Sequence, residues 1–249
     1  MADRREFLGS LASASLALLP GRRRTMPGGS CRLSARPRTP TKTLAPGMNT
    51  LALPGNRQAF LLAPSGYSAS RSWPLVLGLH GATQRHDEPL GVLGSSAESR
   101  GFLLLVLDSA DVSWDAIRGD FGPDLSAIDH ALAESFDRAR VDASRVILEG
   151  FSDGASYALA LGCGNGDLFG RIVAFSPGFV PETTTPVHGH PRIFISHGRQ
   201  DPILPIDMAS RRIVPELRQA GYDVTFQEFD GGHTPRFTAA AAVDWMLKE

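Results

Sequence analysis

Arg145-Val146-Ile147-Leu148-Glu149 runs directly into Gly150-Phe151-Ser152-Asp153-Gly154, and that into Ala155-Ser156-Tyr157-Ala158-Leu159-Ala160-Leu161. The first five residues are apolar and β-branched enough for a short buried strand. The last seven are helix formers and small residues. Glycines at 150 and 154 permit a sharp turn and a close approach of strand to helix. A serine at the apex of such a turn lifts its hydroxyl above the sheet, and the helix N-terminus beneath it adds partial positive charge where an oxyanion would form. In a chain with 26 glycines the G-x-S-x-G pattern alone is a weak signal, and its alternative is an ordinary Gly-Ser turn between strand and helix. Segments on either side decide between the two.

Downstream, Arg192-Ile193-Phe194-Ile195 is another short buried-type strand, followed by His197-Gly198-Arg199-Gln200-Asp201-Pro202. Asp201 is thereby placed at the carboxyl end of a strand, where ligand and catalytic groups gather in open α/β sheets. The alternative is a turn that only caps a helix starting near Ile206. His233 follows the run Val224 to Phe229, and Gly231-Gly232 lets the loop bend back over the sheet. His86, His130, His188 and His190 lack such a setting; His197 has it, but sits inside the acid loop and reads as structural. The order Ser152, Asp201, His233 is that of an α/β-hydrolase triad, not of chymotrypsin or subtilisin. Upstream, Pro74-Leu75-Val76-Leu77-Gly78-Leu79 ends at His80-Gly81-Ala82. An oxyanion pocket then needs two backbone N–H groups, that of Asp153 after the nucleophile and that of Ala82, with Gly81 allowing the approach. Trp114 and Phe121, in the loop Ser109 to Gly122, are expected to border the substrate.

On these residues the chain resembles the phospholipase/carboxylesterase family of α/β-hydrolases, which includes acyl-protein thioesterase-like enzymes and small bacterial esterases. The resemblance spans Leu51 to the C-terminus and is strongest at His80-Gly81, Gly150 to Gly154, Asp201 and His233. It implies a sheet without a cap domain and activity on carboxylic esters or thioesters, with no metal or organic cofactor. Asp153 departs from the neutral residue many relatives carry there; its carboxylate either weakens the oxyanion site or turns away to cap the helix.

The remaining pattern suits an α/β fold with a mostly parallel sheet covered on both faces. Phe102 to Leu107 and Gly170 to Phe175 are wholly or largely apolar, as in strands buried on both sides. Leu125, Ile128, Leu132 and Phe136 recur at helical spacing, as do Ile206, Ala209, Ile213 and Leu217 before Gly221. Pro235 to Leu247 reads as a closing helix with Trp245 on the sheet, and Thr50 to Leu53 with Gln58 to Ala63 as an opening antiparallel pair. The 16 residues Ser176 to Pro191 leave room for a loop, not a lid. About 200 residues suit one domain, and no apolar run is long enough to span a bilayer.

Residues 1–43 carry nine Arg and Lys against two acids; the whole chain has net charge −1, so the remainder is acidic. The basic charge therefore belongs to a leader and not to a nucleic-acid surface on the fold. Asp3-Arg4-Arg5-Glu6-Phe7-Leu8 resembles a twin-arginine export signal, which predicts export to the periplasm or beyond, the alternative being a basic tail on a cytoplasmic protein. Residues 1–46 are accordingly assigned to leader and disordered linker, and 47–249 to the hydrolase domain. Cys31 falls in the linker and Cys163 in the elbow helix; neither has zinc-ligand spacing to a Cys or His partner.

The function expected is serine-dependent hydrolysis of a small-molecule ester, with no nucleic-acid partner. Rival readings are a thioesterase, polyester depolymerase or peptidase on the same triad, or a binding module that kept the fold. The last would be expected to have lost a triad member, and none is missing.

Overall fold

Strands that are apolar at every position need cover on both faces, and two such strands sit at the centre of this chain. The computed structural model describes residues 29–248. Every residue of β3 (Trp73–Leu79) and β4 (Leu103–Leu107) is buried. They belong to an eight-stranded sheet of order β1-β2-β4-β3-β5-β6-β7-β8, with β1 spanning Gly47–Leu53, β2 Arg57–Ala63, β5 Val141–Phe151, β6 Arg171–Phe175, β7 Arg192–Gly198 and β8 Val224–Phe229. From β4 to β8 all neighbours run parallel; β1, β2 and β4 are antiparallel. The β1–β2 edge alternates buried and exposed positions, as a sheet edge with one wet face does.

Helices cover the two faces unequally. On one face lie α3 (Pro123–Arg138), α4 (Asp153–Gly164) and α5 (Ser210–Gln219), packed on Leu75, Leu77, Leu148 and Ile195; the short α2 (Asp115–Arg118) adds Ala116. On the other lie α1 (Asp87–Arg100) and α6 (Ala239–Leu247), packed on Val76, Ile147, Val173 and Phe194. The two clusters divide alternate residues of the same strands, because successive side chains point to opposite faces. Trp245 packs on Phe194, and its indole N–H donates to Thr225 Oγ1 at 3.1 Å. Gly221, at φ +91°, follows the end of α5, with Tyr222 N–H donating back to Leu217 O at 3.1 Å. Helix α1 has no clear periodic signal in the sequence, because Pro89, Gly91, Gly94, Ser95 and Ser96 dilute its pattern. The closing helix begins at Ala239 and not at Pro235.

The described part of the linker, residues 29–46, corrects the expectation of disorder. It has no helix or strand before β1, yet Cys31, Leu33 and Ala35 are buried in the core on the α3–α4 face. Composition hid this, since only Cys31, Leu33 and Ala35 turn inward, alternating with exposed Arg32 and Ser34. Leu33 N–H donates to Asn165 Oδ1 at 2.9 Å, and Asn165 Nδ2 donates to Cys31 O at 2.8 Å. Asp129 Oδ1 accepts the N–H groups of Ser34 and Ala35, each at 2.8 Å. Arg32 and Arg36 grip Asp167, while Thr41 and Lys42 hold Asp137 at the end of α3. The segment is a strap that ties α3 to the helix carrying Ser152 at its cap. The twin-arginine-like segment lies outside the described residues.

Two outcomes test the strap. Leu33→Ala removes a side chain only 2 % exposed, and should lower unfolding free energy in urea by about 2–5 kcal/mol. The bonds from Thr41 and Lys42 hold the Asp137 carboxyl near about 2, below its usual range. A depressed carboxylate contributes stability that is complete above the unfolded value and lost as pH falls through the folded one. Asp137→Asn should therefore cost a constant amount above about pH 5 and nothing below about pH 2, read from denaturation midpoints against pH.

Candidate active site

Ser152 sits between the end of β5 and the start of α4 with φ +56°, a left-handed conformation unusual for serine. The turn is possible only because the residues two before and two after Ser152 lack side chains. A Cβ on Gly150 would lie 2.3 Å from Gly154 O, and one on Gly154 would lie 2.2 Å from Leu79 O, so both glycines are demanded by backbone contact. Ser152 N–H donates to Phe175 O at 2.8 Å, which fixes the turn to the next strand. Ser156, one helical turn on, donates to Ser152 O at 3.2 Å and accepts from Gly178 N–H at 3.0 Å, tying the turn to the loop after β6.

Three residues far apart in the chain meet there. Ser152 Oγ donates to His233 Nε2 at 2.8 Å, and His233 Nδ1–H donates to Asp201 Oδ2 at 2.6 Å. The tautomer follows from the partners, since a carboxylate can only accept. Gly198 permits the two loops to meet: a Cβ there would lie 2.3 Å from both Gly231 O and Gly232 O. Phe151 packs against the His233 ring, with centroids 4.7 Å apart.

Asp201 is buried and still holds its charge. Burial pushes its pKa up, but the bonds from His197 and His233 and the Leu204 N–H outweigh this and hold it well below the usual carboxylate range. Oδ1 accepts from the N–H groups of Ile203 and Leu204, each at 2.9 Å. His197 is fully buried; its Nε2 lies 3.2 Å from Asp201 Oδ2 and donates to Leu204 O at 2.8 Å, while Nδ1 accepts from Ser210 Oγ at 2.7 Å. The expected structural part for His197 thus has a definite form: it braces the acid loop.

The two backbone N–H groups expected to receive an oxyanion belong to Ala82 and Asp153, and neither has an acceptor among the described residues. The Ala82 loop is pressed against Ser152, since a Cβ on Gly81 would lie 3.3 Å from Ser152 Cβ. Its orientation is set by His80, buried and kept neutral because burial lowers its pKa. His80 Nδ1–H donates to Gly81 O at 2.8 Å and Nε2 accepts from Ser109 N–H at 2.9 Å. With Gln84 N–H also on Gly81 O, that carbonyl is turned from the site and the next N–H is left free.

Three side chains differ from expectation. Trp114 is fully buried and does not border a substrate; its indole N–H donates to His80 O at 2.8 Å and its ring packs on His80 and Tyr157. A large ring beside an apolar core gains more from burial than from lining a wet cleft. Phe121 packs on Tyr157 at the core's edge, 5.1 Å between centroids, and is absent from the walls of the cavity beside His233. Asp153 does not cap α4: Ser113 Oγ donates to its Oδ2 at 2.5 Å instead. Burial raises the Asp153 pKa, opposed by the Ser113 bond and by His233 and His80. Ser113 and Ser210 carried no sequence signal, because a serine in a loop or helix start has no periodicity to betray its partner.

Residues 123–241, just under half the chain, match the phospholipase/carboxylesterase family model. The fold matches solved esterases along most of their length. The chain has the α/β-hydrolase fold. Esterase PE8 superposes with a TM-score of 0.60 at 19 % identity, covering 80 % of this chain and 98 % of that one. A ferulic acid esterase from Anaeromyces mucronatus gives 0.60 at 18 %, covering 87 % and 97 %. An S-formylglutathione hydrolase from Staphylococcus aureus gives 0.65 at 13 %, covering 81 % and 98 %. No match is found among curated proteins. No helix among the described residues is long and apolar enough to cross a membrane.

The elbow can be tested alone. Gly154→Ala drives a methyl group into Leu79 O, and should cost at least about 1–3 kcal/mol of stability. Thermal unfolding of that variant beside Gly91→Ala, whose added carbon meets nothing within 4 Å, separates steric conflict from a general glycine effect.

Proposed function

We propose that this protein cleaves carboxylic esters through an acyl-enzyme on Ser152, with His233 as general base and Asp201 as its orienting acid. The supporting observation is the unbroken chain of bonds from Ser152 Oγ through both nitrogens of His233 to a buried, ionised Asp201. Neutral His233 takes the serine proton through Nε2 as Oγ attacks the ester carbonyl. The imidazolium that forms is stabilised by Asp201, whose remaining lone pairs are already engaged by His197, Ile203 and Leu204.

The carbonyl oxygen becomes an oxyanion between the N–H groups of Ala82 and Asp153, at the start of a 12-residue helix whose dipole favours negative charge. The hydrogen bond that Asp153 Oδ2 accepts from the Ser113 hydroxyl turns that carboxyl to a partner of its own and limits how far it opposes the oxyanion. His233 then gives its proton to the leaving alcohol, the ester bond breaks, and water repeats the sequence to free the acid. The loop 176–191 carries no helix or strand, so a soluble ester reaches Ser152 without a domain being moved aside.

Turnover of a nitrophenyl ester by purified protein tests the roles. Ser152→Ala and His233→Ala should each lower kcat by about a millionfold, and Asp201→Ala by about ten thousandfold. Wild-type protein should label with a fluorophosphonate and Ser152→Ala should not. Retention of most activity by Ser152→Ala would sink the reading.

A further inference from the structure

Beside the triad lies a cavity of about 330 Å³ bordered by His233 together with Gln84, Asp87, Glu88, Thr234 and Arg236. The side chains of Gln84, Asp87, Glu88 and Arg236 make no hydrogen bond or ion pair with any described residue, although opposite charges share the space. Nearby surface charges behave otherwise: Arg85 holds Asp108 at 2.5 Å and Arg199 holds Glu228 at 3.0 Å. Behind Glu88 lies Glu149, the residue before the elbow, only 1 % exposed and with Oε2 unpartnered. A Cβ added to Gly78 would meet Pro89 at 2.8 Å and Glu149 Oε2 at 3.1 Å, so the absent side chain at 78 makes room for this carboxyl against the start of α1.

Burial, reinforced by Glu88, raises the Glu149 pKa well above its ordinary value. Glu88 is pushed up to about 7, chiefly by burial, with Arg236 opposing and Asp87 adding to the rise. The wall thus offers donors from Gln84 and Arg236 and acceptors from Gln84, Asp87 and Glu88, with charges of both signs in one space.

The position of the cavity says which half of a substrate meets it. In the reaction proposed above, His233 Nε2 must reach the leaving oxygen, so the alcohol half of the ester lies against His233. An alkyl alcohol placed there would strip water from polar groups and return no hydrogen bonds. A cationic alcohol would face Arg236, and an anionic one Asp87 and Glu88. A neutral alcohol with several hydroxyls answers donors and acceptors together, since each hydroxyl serves as both. We propose that this cavity is the alcohol subsite and that it selects esters of polyhydroxylated, glycerol- or sugar-like alcohols over alkyl esters of the same acid. The inference rests on the esterase reading and goes beyond it to the substrate class.

The test holds the acyl group constant. Values of kcat/KM for glyceryl monobutyrate, a methyl glucoside butyrate, hexyl butyrate and butyrylcholine are compared on the full chain, with p-nitrophenyl butyrate as reference and fluorophosphonate titration counting active molecules. The polyol esters should exceed hexyl butyrate by at least about tenfold. In the double variant Gln84→Leu/Arg236→Leu, both exposed positions, that ratio should fall to within about threefold, while titration shows the fraction folded. Parity in the wild type, a preference for hexyl butyrate or butyrylcholine, or a polyol preference that survives the double substitution would each overturn the proposal. Absence of both nitrophenyl turnover and labelling would instead remove the esterase reading, and the subsite with it.

Discussion

A serine held at φ +56° between two glycines whose missing side chains are replaced by backbone is the constraint on which this molecule turns. A non-glycine residue in that conformation costs on the order of 1–3 kcal/mol and persists only where its surroundings leave no alternative. Here the surroundings are β5 and α4 pressed together at Gly150, and β3 meeting α4 at Gly154. That close packing aims Oγ at the space above the sheet, sets the Asp153 N–H beside it, and brings the β3 loop with Ala82 into contact. The placement of the Ser152 hydroxyl and of the two N–H groups proposed to receive an oxyanion is therefore a consequence of one steric arrangement.

The proposed acid and base depend on the sheet in a different way. Asp201 and His233 stand on loops leaving β7 and β8, two parallel neighbours whose register brings Gly198 opposite Phe229. The loops touch only because position 198 has no side chain. Burying a carboxylate there requires compensation, and four donors supply it: two imidazoles and two backbone N–H groups. His197 thereby links the acid to Ser210 at the start of α5, so the electrostatics of the site are anchored in the helical layer beneath it.

Support for the oxyanion side comes from the interior. His80 and Trp114, a buried neutral imidazole and a buried indole, lock the loop through Gly81 O and His80 O. Behind them the strap at 29–46 crosses the far end of α4, bonding Asn165 just beyond the helix. Helix α4 is thus held at its N-terminus by the elbow and at its C-terminus by the strap, which limits how far Ser152 can tilt. Surface ion pairs such as Arg32–Asp167 contribute little by themselves; the buried Cys31 and Leu33 provide the larger share of that hold.

Much of this was legible in the sequence because it rests on local rules. Apolar runs leading into Gly-x-Ser, Gly-Ala, Asp-Pro and Gly-His announce strands followed by loops, and a parallel sheet gathers such loops at one end. The order of Ser152, Asp201 and His233 and the need for glycines at 150 and 154 follow from those runs. What sequence could not determine was which way individual side chains turned once the loops were packed. Trp114 went inward to His80, Asp153 went to Ser113, and the strap buried Cys31 and Leu33 despite its polar composition. Each of those outcomes was decided by partners 30 or more residues away, whose positions exist only after the sheet has formed. The unpaired polar wall beside His233 belongs to the same class: Glu88 and Arg236 lie far apart in the chain, and only the sheet that places α1 beside the β8 loop makes them neighbours.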